Sequence, residues 1–298
     1  MKHLFIAIAA CWMMCLNGRA QEPQAGDVEL FSGAELNYRD VNFMRLYDVL
    51  INLTPGLKWH LGKEWMVSAQ ATIPVVNDGY EPKHNLPRLT NAAVAKQLHL
   101  GPVHLKATGG LFGLDRYGVD LRAMVPLTSW LLFQAQAGYT GYYRLATGRA
   151  TYRRGVIVDE TKAVEFGAVD RFTGVAGFNV WLEPWKTEFR LSGGRYVNED
   201  YGGQIEVMRH FKHCTVGIYG QLHQRKHSKY REAGGFKVVV MIPQWTWHLG
   251  KLRVRPASNF RLTYNAQADG LSMKMYTTDP EENERIYPVR VNWGLERQ

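Results

Sequence analysis

The sequence predicts an all-β protein, an antiparallel outer-membrane β-barrel of about twelve strands with short periplasmic turns, longer extracellular loops and a C-terminal periplasmic tail. Three observations predict it. Apolar and polar residues alternate over segments of about ten residues, tight and long connections alternate between these segments, and tryptophans gather at the tight-turn ends. No run of about 18 apolar residues is present, so a helical membrane protein is excluded.

Residues 1–20 have the pattern of a secretory signal peptide. Lys2 precedes an apolar run over 4–16, and residues 18–20 form a small-x-small cleavage site. A second interpretation takes residues 8–11 as the lipobox of a lipid-anchored protein, with a shorter apolar core. Together with the predicted barrel, cleavage of this signal peptide would place the mature protein in the outer membrane of a Gram-negative bacterium.

Charge and cysteine usage fit an envelope protein. Cleavage would remove two of the 36 basic residues and no acid, so the net charge would fall from +9 to +7. It would also leave Cys214 alone, without an intrachain disulfide partner. A basic secreted protein meets lipopolysaccharide, anionic lipid or acidic glycan before it meets nucleic acid. The alternative is that this charge serves only solubility.

The strands follow from the two-residue period. Around Asp120, for example, Val119 and Leu121 lie on the opposite, apolar face. The same pattern predicts strands, in order, at 27–38, 45–61 (kinked at Pro55), 65–75, 89–99, 103–112, 116–126, 130–143, 172–183, 186–196, 202–211, 214–223 and 234–243.

The connections between these strands differ in length by side. Every second connection is tight, at 62–64, 100–102, 127–129, 184–185 and 212–213. The others are mostly longer, at 39–44, 76–88, 144–171, 197–201 and 224–233, with 113–115 as the exception. Sorting of loops by length is typical of outer-membrane barrels.

The tryptophans predict an aromatic girdle on the periplasmic rim, because indole favours the boundary between lipid and water. The girdle residues are Trp59, Trp65, Trp130, Trp181 and Trp185. The alternative is that aromatic residues simply flank strands, as they do in soluble β proteins. The predicted organisation is therefore a signal peptide over 1–20, a transmembrane barrel over 21–243 and a polar periplasmic segment over 244–298, with a short strand near 260–266.

Polar residues on the inward faces carry both signs of charge. Such groups either pair across the lumen and fill it, or line a polar channel for a hydroxyl-rich glycan; a largely filled or constricted lumen is favoured. The predicted lumen cluster comprises Glu29, Glu35, Asp48, Gln70, Lys106, Arg116, Asp120, Arg122, Gln134, Gln136, Glu188, Arg190 and Glu206.

The long loops are basic, which predicts contact with lipopolysaccharide phosphates or an acidic polysaccharide. The alternative is solvated charge without a specific ligand. The candidate contact residues are Lys83, Arg88, Arg149, Arg153, Arg154, Arg225, Lys226, Lys229 and Arg231.

No catalytic residue, metal ligand or cofactor site is predicted. An outer-membrane acyl hydrolase needs Ser and His on one strand face, two residues apart, and no such pair occurs. His210, His213 and Cys214 straddle a tight turn and are interpreted as structural residues. A catalytic pair with its nucleophile and its base on different strands is an open alternative, because the sequence alone does not show which strands are neighbours.

The segment from 194 onward carries motifs in a distinctive order. It contains Gly194-Arg195-Tyr196, Asp200-Tyr201-Gly202 and Arg209-His210-Phe211, and Gly234-Gly235-Phe236 follows. This order resembles the YjbH-like family of outer-membrane proteins linked to exopolysaccharide and capsule production. The resemblance covers roughly residues 27–243, and the chain looks like a shorter, single-barrel member of the family. It implies a β-barrel that acts in polysaccharide secretion.

The expected function is therefore assistance in exopolysaccharide or capsule biosynthesis, export or surface assembly. Outer-membrane lipid, lipopolysaccharide, an acidic exopolysaccharide and periplasmic polysaccharide-export proteins are the expected partners, and nucleic acid is not. The alternatives are a lipid-modifying outer-membrane enzyme and a purely structural or docking barrel.

Overall fold

The computed structural model describes residues 24–39, 48–62, 64–78, 85–145, 149–151, 157–160, 164–225, 228–266 and 275–280. These residues form no α-helix, and a short 3-10 turn lies at Glu183–Trp185. The strands are β1 (Val28–Arg39), β2 (Asp48–His60), β3 (Trp65–Asp78), β4 (Arg88–Leu100), β5 (Val103–Phe112), β6 (Arg116–Pro126), β7 (Leu131–Leu145), β8 (Arg149–Thr151), β9 (Ile157–Glu160), β10 (Val164–Leu182), β11 (Thr187–Arg195), β12 (Asp200–His210), β13 (Cys214–Arg225), β14 (Arg231–Met241), β15 (Trp247–Leu249), β16 (Leu252–Pro256) and β17 (Asn259–Ala266).

Within the described parts of the chain, β8 and β9 form a small separate pair and the other strands form one sheet. Its order is β15-β16-β1-β2-β3-β4-β5-β6-β7-β10-β11-β12-β13-β14-β17. Neighbouring strands are antiparallel except β1 and β16, which run parallel. The all-β, mainly antiparallel class predicted from the sequence is confirmed.

The strands from β1 to β7 and from β10 to β14 correspond one by one to those expected from the alternating pattern. The largest difference is at β10, which begins at Val164 rather than near 172. Its added residues pair with the end of β7 through two register shifts. There the ring of Phe166 lies edge-on to Tyr117, with centroids 5.1 Å apart. This cross-strand contact extends the strand and is invisible within the segment itself.

The two ends of the strand order are joined by the chain itself. Only Ala257 and Ser258 separate β16 from β17. The amide of Ala257 donates to the Ser32 carbonyl at 2.9 Å, and the amide of Ile242 donates to the Ser258 carbonyl at 3.0 Å. Cα atoms of β17 come within 8 Å of β1, yet these two strands share no hydrogen-bonded ladder. The sheet is therefore not closed into a barrel by hydrogen bonds.

The two faces of the sheet have the reverse of the usual polarity. On the face called here the buried face, Glu188 is 0% exposed, Asp120 4% and Arg116 8%. On the opposite, outer face, Val119 is 61% exposed and Ile218 63%. A protein that folds in water normally buries its apolar side chains and exposes its charges.

The sheet curls around the buried face. The hydroxyl of Tyr143 in β7 donates to the carbonyl of Leu89 in β4 at 3.1 Å, although β5 and β6 lie between these strands in the sheet. This curvature brings side chains from distant strands together.

A candidate site on the buried polar face

The predicted lumen residues lie on the buried face, with one exception. The side chain of Asp48 lies outside the described residues, although its backbone begins β2. The side chains of two of these residues, Glu35 and Gln70, make only long hydrogen bonds among those observed. The Asn52 amide donates to Glu35 at 3.4 Å, and the Gln70 amide donates to the Thr54 carbonyl at 3.5 Å. Three stronger clusters organise the rest of the buried face.

The first cluster surrounds Glu29, beside the parallel pair β1–β16. The Nε and Nη2 atoms of Arg255 donate to one oxygen of Glu29 at 3.1 and 2.9 Å. His60 lies 3.6 Å from the other oxygen. A second ion pair joins Arg253 to Asp27 at 2.6 Å. Charge-assisted hydrogen bonds of this kind are strong and also restrict the orientation of the two groups, so they hold β16 against β1.

The second cluster surrounds Glu188. Arg190 donates to its two oxygens at 2.8 and 3.1 Å, and Asn179 donates at 2.8 Å. The cluster continues through Arg190, whose Nη1 lies 3.8 Å from Glu206. Glu206 also pairs with Lys237 of β14. Buried charges cost little only when they are paired in this way.

Cross-strand contacts bring a hydroxyl, an imidazole and a carboxylate into one line. The Nδ1 atom of His210 lies 3.0 Å from the Thr215 hydroxyl, and its Nε2 atom lies 3.1 Å from Glu188. The order resembles that of a nucleophile, a base and an orienting acid. However, His210 and Thr215 are each only 5% exposed, and Glu188 is already held by Arg190. These residues therefore form part of the buried polar packing of the sheet.

The third cluster surrounds Asp120 and includes a part of the chain that is not in the sheet. The hydroxyl of Tyr276 donates to Asp120 at 2.9 Å, and Gln136 donates to the same oxygen at 2.9 Å. Arg122 lies 3.4 Å from the other oxygen. The ring of Tyr276 stacks on Phe112 with centroids 5.3 Å apart. Burial, with the Asp120 charge, raises the pKa of the Tyr276 phenol.

Residues 275–280, called here the C-terminal insert, include Tyr276 and lie along the buried face. Asn91 donates to the carbonyl of Thr278 at 2.9 Å, and the amide of Gly113 donates to the carbonyl of Thr277 at 2.9 Å. The Asp279 carboxylate pairs with Lys106. The insert thus contacts β4, β5, β6 and β10 and fills part of the space that they enclose.

Beside the insert lies a cavity of about 370 Å³. This volume falls within the range of about 300–1,000 Å³ that small-molecule sites occupy. Among the residues that the structure describes, its polar side chains are Gln97, His99, His104, Lys106, Arg122, Gln134, Gln136 and Ser192, and none of them is a carboxylate. The sequence indicated Lys106, Arg122, Gln134 and Gln136 as inward-facing residues, and the structure brings these four to the same cavity.

The predicted loop residues are only partly described. Lys83, Arg153, Arg154 and Lys226 lie outside the described residues, as does the side chain of Arg149. Arg88 begins β4, 3.8 Å from Asp115, and Arg225 ends β13. Lys229 and Arg231 are exposed. A glycan contact at these loops stays a prediction.

Four of the girdle tryptophans, Trp59, Trp65, Trp130 and Trp185, are exposed at strand ends or turns. Trp181 differs, because it is 6% exposed. It packs against Leu132 and His210, and its indole donates to Glu183 at 2.5 Å. Trp181 therefore does not belong to an outward-facing girdle. It lies two residues after the buried Asn179 on β10, so both side chains are on the same face of the sheet.

Sequence reasoning missed the partners that come from the end of the chain. Arg253 and Arg255 alternate with Val254, a signal that could have placed them on a strand face. Tyr276 and Asp279 carry no local signal, since their positions depend on contacts with other strands.

None of the described segments contains a helix long and apolar enough to cross a membrane. Nor do they group three or more His, Cys, Asp or Glu side chains in a way that could hold a metal ion. No protein-family model matches the chain, and no curated protein matches it either. The resemblance to YjbH-like proteins stays a prediction.

Proposed function

We propose that this chain is an outer-membrane β-barrel that assists the export or surface assembly of an exopolysaccharide. The observation that carries the proposal is the reversed polarity of the sheet. Apolar side chains such as Val119 and Ile218 cover the outer face, whereas Asp120 and Glu188 are buried. An outward apolar band around a polar interior is the arrangement that a lipid bilayer selects.

The continuous segment of β16 and β17 supports closure into a barrel. Its first half pairs with β1 and its second half with β14, the two strands at the ends of the expected set. A bilayer has no water to satisfy an open sheet edge, so closure there is strongly favoured. In the proposed barrel, β17 also hydrogen-bonds to β1, and the closing segment adds one strand parallel to β1.

The polysaccharide role rests on the chemistry of the interior and on the resemblance. Carboxamide and guanidinium groups of Gln134, Gln136 and Arg122 line the cavity, and such groups suit hydroxyl-rich or acidic glycans. The exposed Lys229 and Arg231 add positive charge at one rim. The YjbH-like motif order gives the same expectation.

The membrane part is tested by electrophoretic migration of the detergent-extracted outer-membrane fraction before and after boiling. We expect a folded species whose migration changes on boiling. A soluble periplasmic protein without such a change would overturn the barrel.

The polysaccharide part is tested by deleting the gene and measuring surface-bound and released polymer. We expect surface polymer to fall in the deletion strain and to return with the intact gene. Unchanged polymer would overturn the export role while leaving the barrel in place.

A further inference from the structure

The cavity next to Lys106 has a lining suited to an anionic, hydroxyl-rich ligand. Two cations, Lys106 and Arg122, and two imidazoles, His99 and His104, face a space that is lined by no carboxylate from the described residues. The three carboxamides in the lining both donate and accept hydrogen bonds, as sugar hydroxyl groups require.

Lys106 pairs with Asp279 and Arg122 lies beside Asp120, and these two carboxylates belong to different parts of the chain. Asp120 belongs to β6 and is held further by Gln136 and Tyr276. Asp279 belongs to the C-terminal insert, outside the sheet, and pairs with Lys106. Because Asp279 lies outside every strand ladder of the described sheet, it is the carboxylate that a ligand can replace.

We propose that this cavity binds an acidic sugar residue, with the sugar carboxylate taking the place of Asp279 on Lys106. The inference rests on the proposed function and names the substrate class as a uronate-containing glycan. The carboxylate of Asp279 then acts as an internal competitor, which holds the site closed when no glycan is present. Arg122 and the carboxamides contact the hydroxyl groups of the sugar.

The test uses the full-length protein in detergent and measures binding of trigalacturonate by calorimetry, with maltotriose as a neutral trisaccharide of similar size. We expect trigalacturonate to bind and maltotriose to bind at least about tenfold more weakly, since charge-assisted bonds exceed neutral ones. Lys106→Gln should weaken trigalacturonate binding by about tenfold or more. Asp279→Asn should strengthen it, because the competitor loses its charge.

Lys212→Gln, at an exposed turn outside the lining of the cavity, is the matched control and should leave the affinity unchanged. Equal affinity for both trisaccharides would overturn the proposal, as would unchanged or weaker binding in Asp279→Asn. If Lys106→Gln does not fold, as judged by migration before boiling, the Asp279→Asn result decides alone.

The outcomes separate this inference from the proposed function. Loss of surface polymer in the deletion strain without trigalacturonate binding would overturn the site and leave the export role. If the protein binds trigalacturonate selectively but its deletion leaves the polymer unchanged, the export role is overturned and the binding site stands.

Discussion

At the scale of single residues, Glu188 illustrates how the buried face tolerates charge. It is fully buried, and Arg190, His210 and Asn179 all contact its carboxylate. An isolated carboxylate in this place would be strongly unfavourable, whereas a paired one is acceptable. The stability of the cluster therefore depends on its charge balance more than on any one contact.

Replacing Glu188→Gln keeps the shape and removes the charge. Arg190 and His210 then face an amide that cannot compensate a buried guanidinium, so we expect the free energy of unfolding to fall by about 3 kcal/mol. Urea unfolding of the protein refolded in detergent measures this change. Glu232→Gln, on an exposed residue of β14, is the control. Equal midpoints for the two variants would contradict the role of the cluster.

At the scale of elements, the alternating pattern predicted the strands from β1 to β7 and from β10 to β14, because each has an apolar and a polar face of its own. It missed the strands β15 and β16, which are three and five residues long. It missed the C-terminal insert for a different reason. Tyr276 is buried by side chains of strands more than 100 residues away in sequence, and no local pattern encodes such contacts.

The insert is held in place partly by a missing side chain. A Cβ atom at Gly138 would collide with the Tyr276 hydroxyl and lie 3.1 Å from the Val119 carbonyl. Gly138→Ala should therefore displace the insert and speed chymotrypsin cleavage after Tyr276. Gly220→Ala is the control, because the nearest atom to its Cβ is 4.0 Å away. Identical cleavage rates in both variants would show that the insert does not depend on this contact.

At the scale of the whole molecule, the reversed polarity of the sheet is the feature on which the proposed lipid environment rests. The outer face presents Leu191, Ile205 and Ile218 at more than half exposure. Exposed apolar patches of this extent are rare on soluble monomers. A substitution to lysine on this face should therefore change the free energy of unfolding by different amounts in lipid and in water.

Val119→Lys tests the environment directly. Val119 lies within β6 and is 61% exposed, so lysine there would be nearly neutral in water. In a bilayer we expect it to cost about 2–4 kcal/mol near the midplane, measured as urea unfolding in liposomes. Leu127→Lys, at a tight turn and 52% exposed, should cost at most about 1 kcal/mol. Equal small effects would indicate a water-exposed face.

The pairing of β1 with β16 has a consequence for the time course of folding. Glu29 and Arg255 meet across 226 positions of sequence, and Lys106 meets Asp279 across 173. Contacts this distant form slowly, because the loop entropy is lost before the contact is gained. The sheet can therefore grow from hairpin to hairpin early, whereas the seam beside β1 and the filling of the interior must wait until the last part of the chain arrives. In the proposed barrel, the edge beside β1 stays open until then, so the arrival of residues 252–279 sets when the barrel closes.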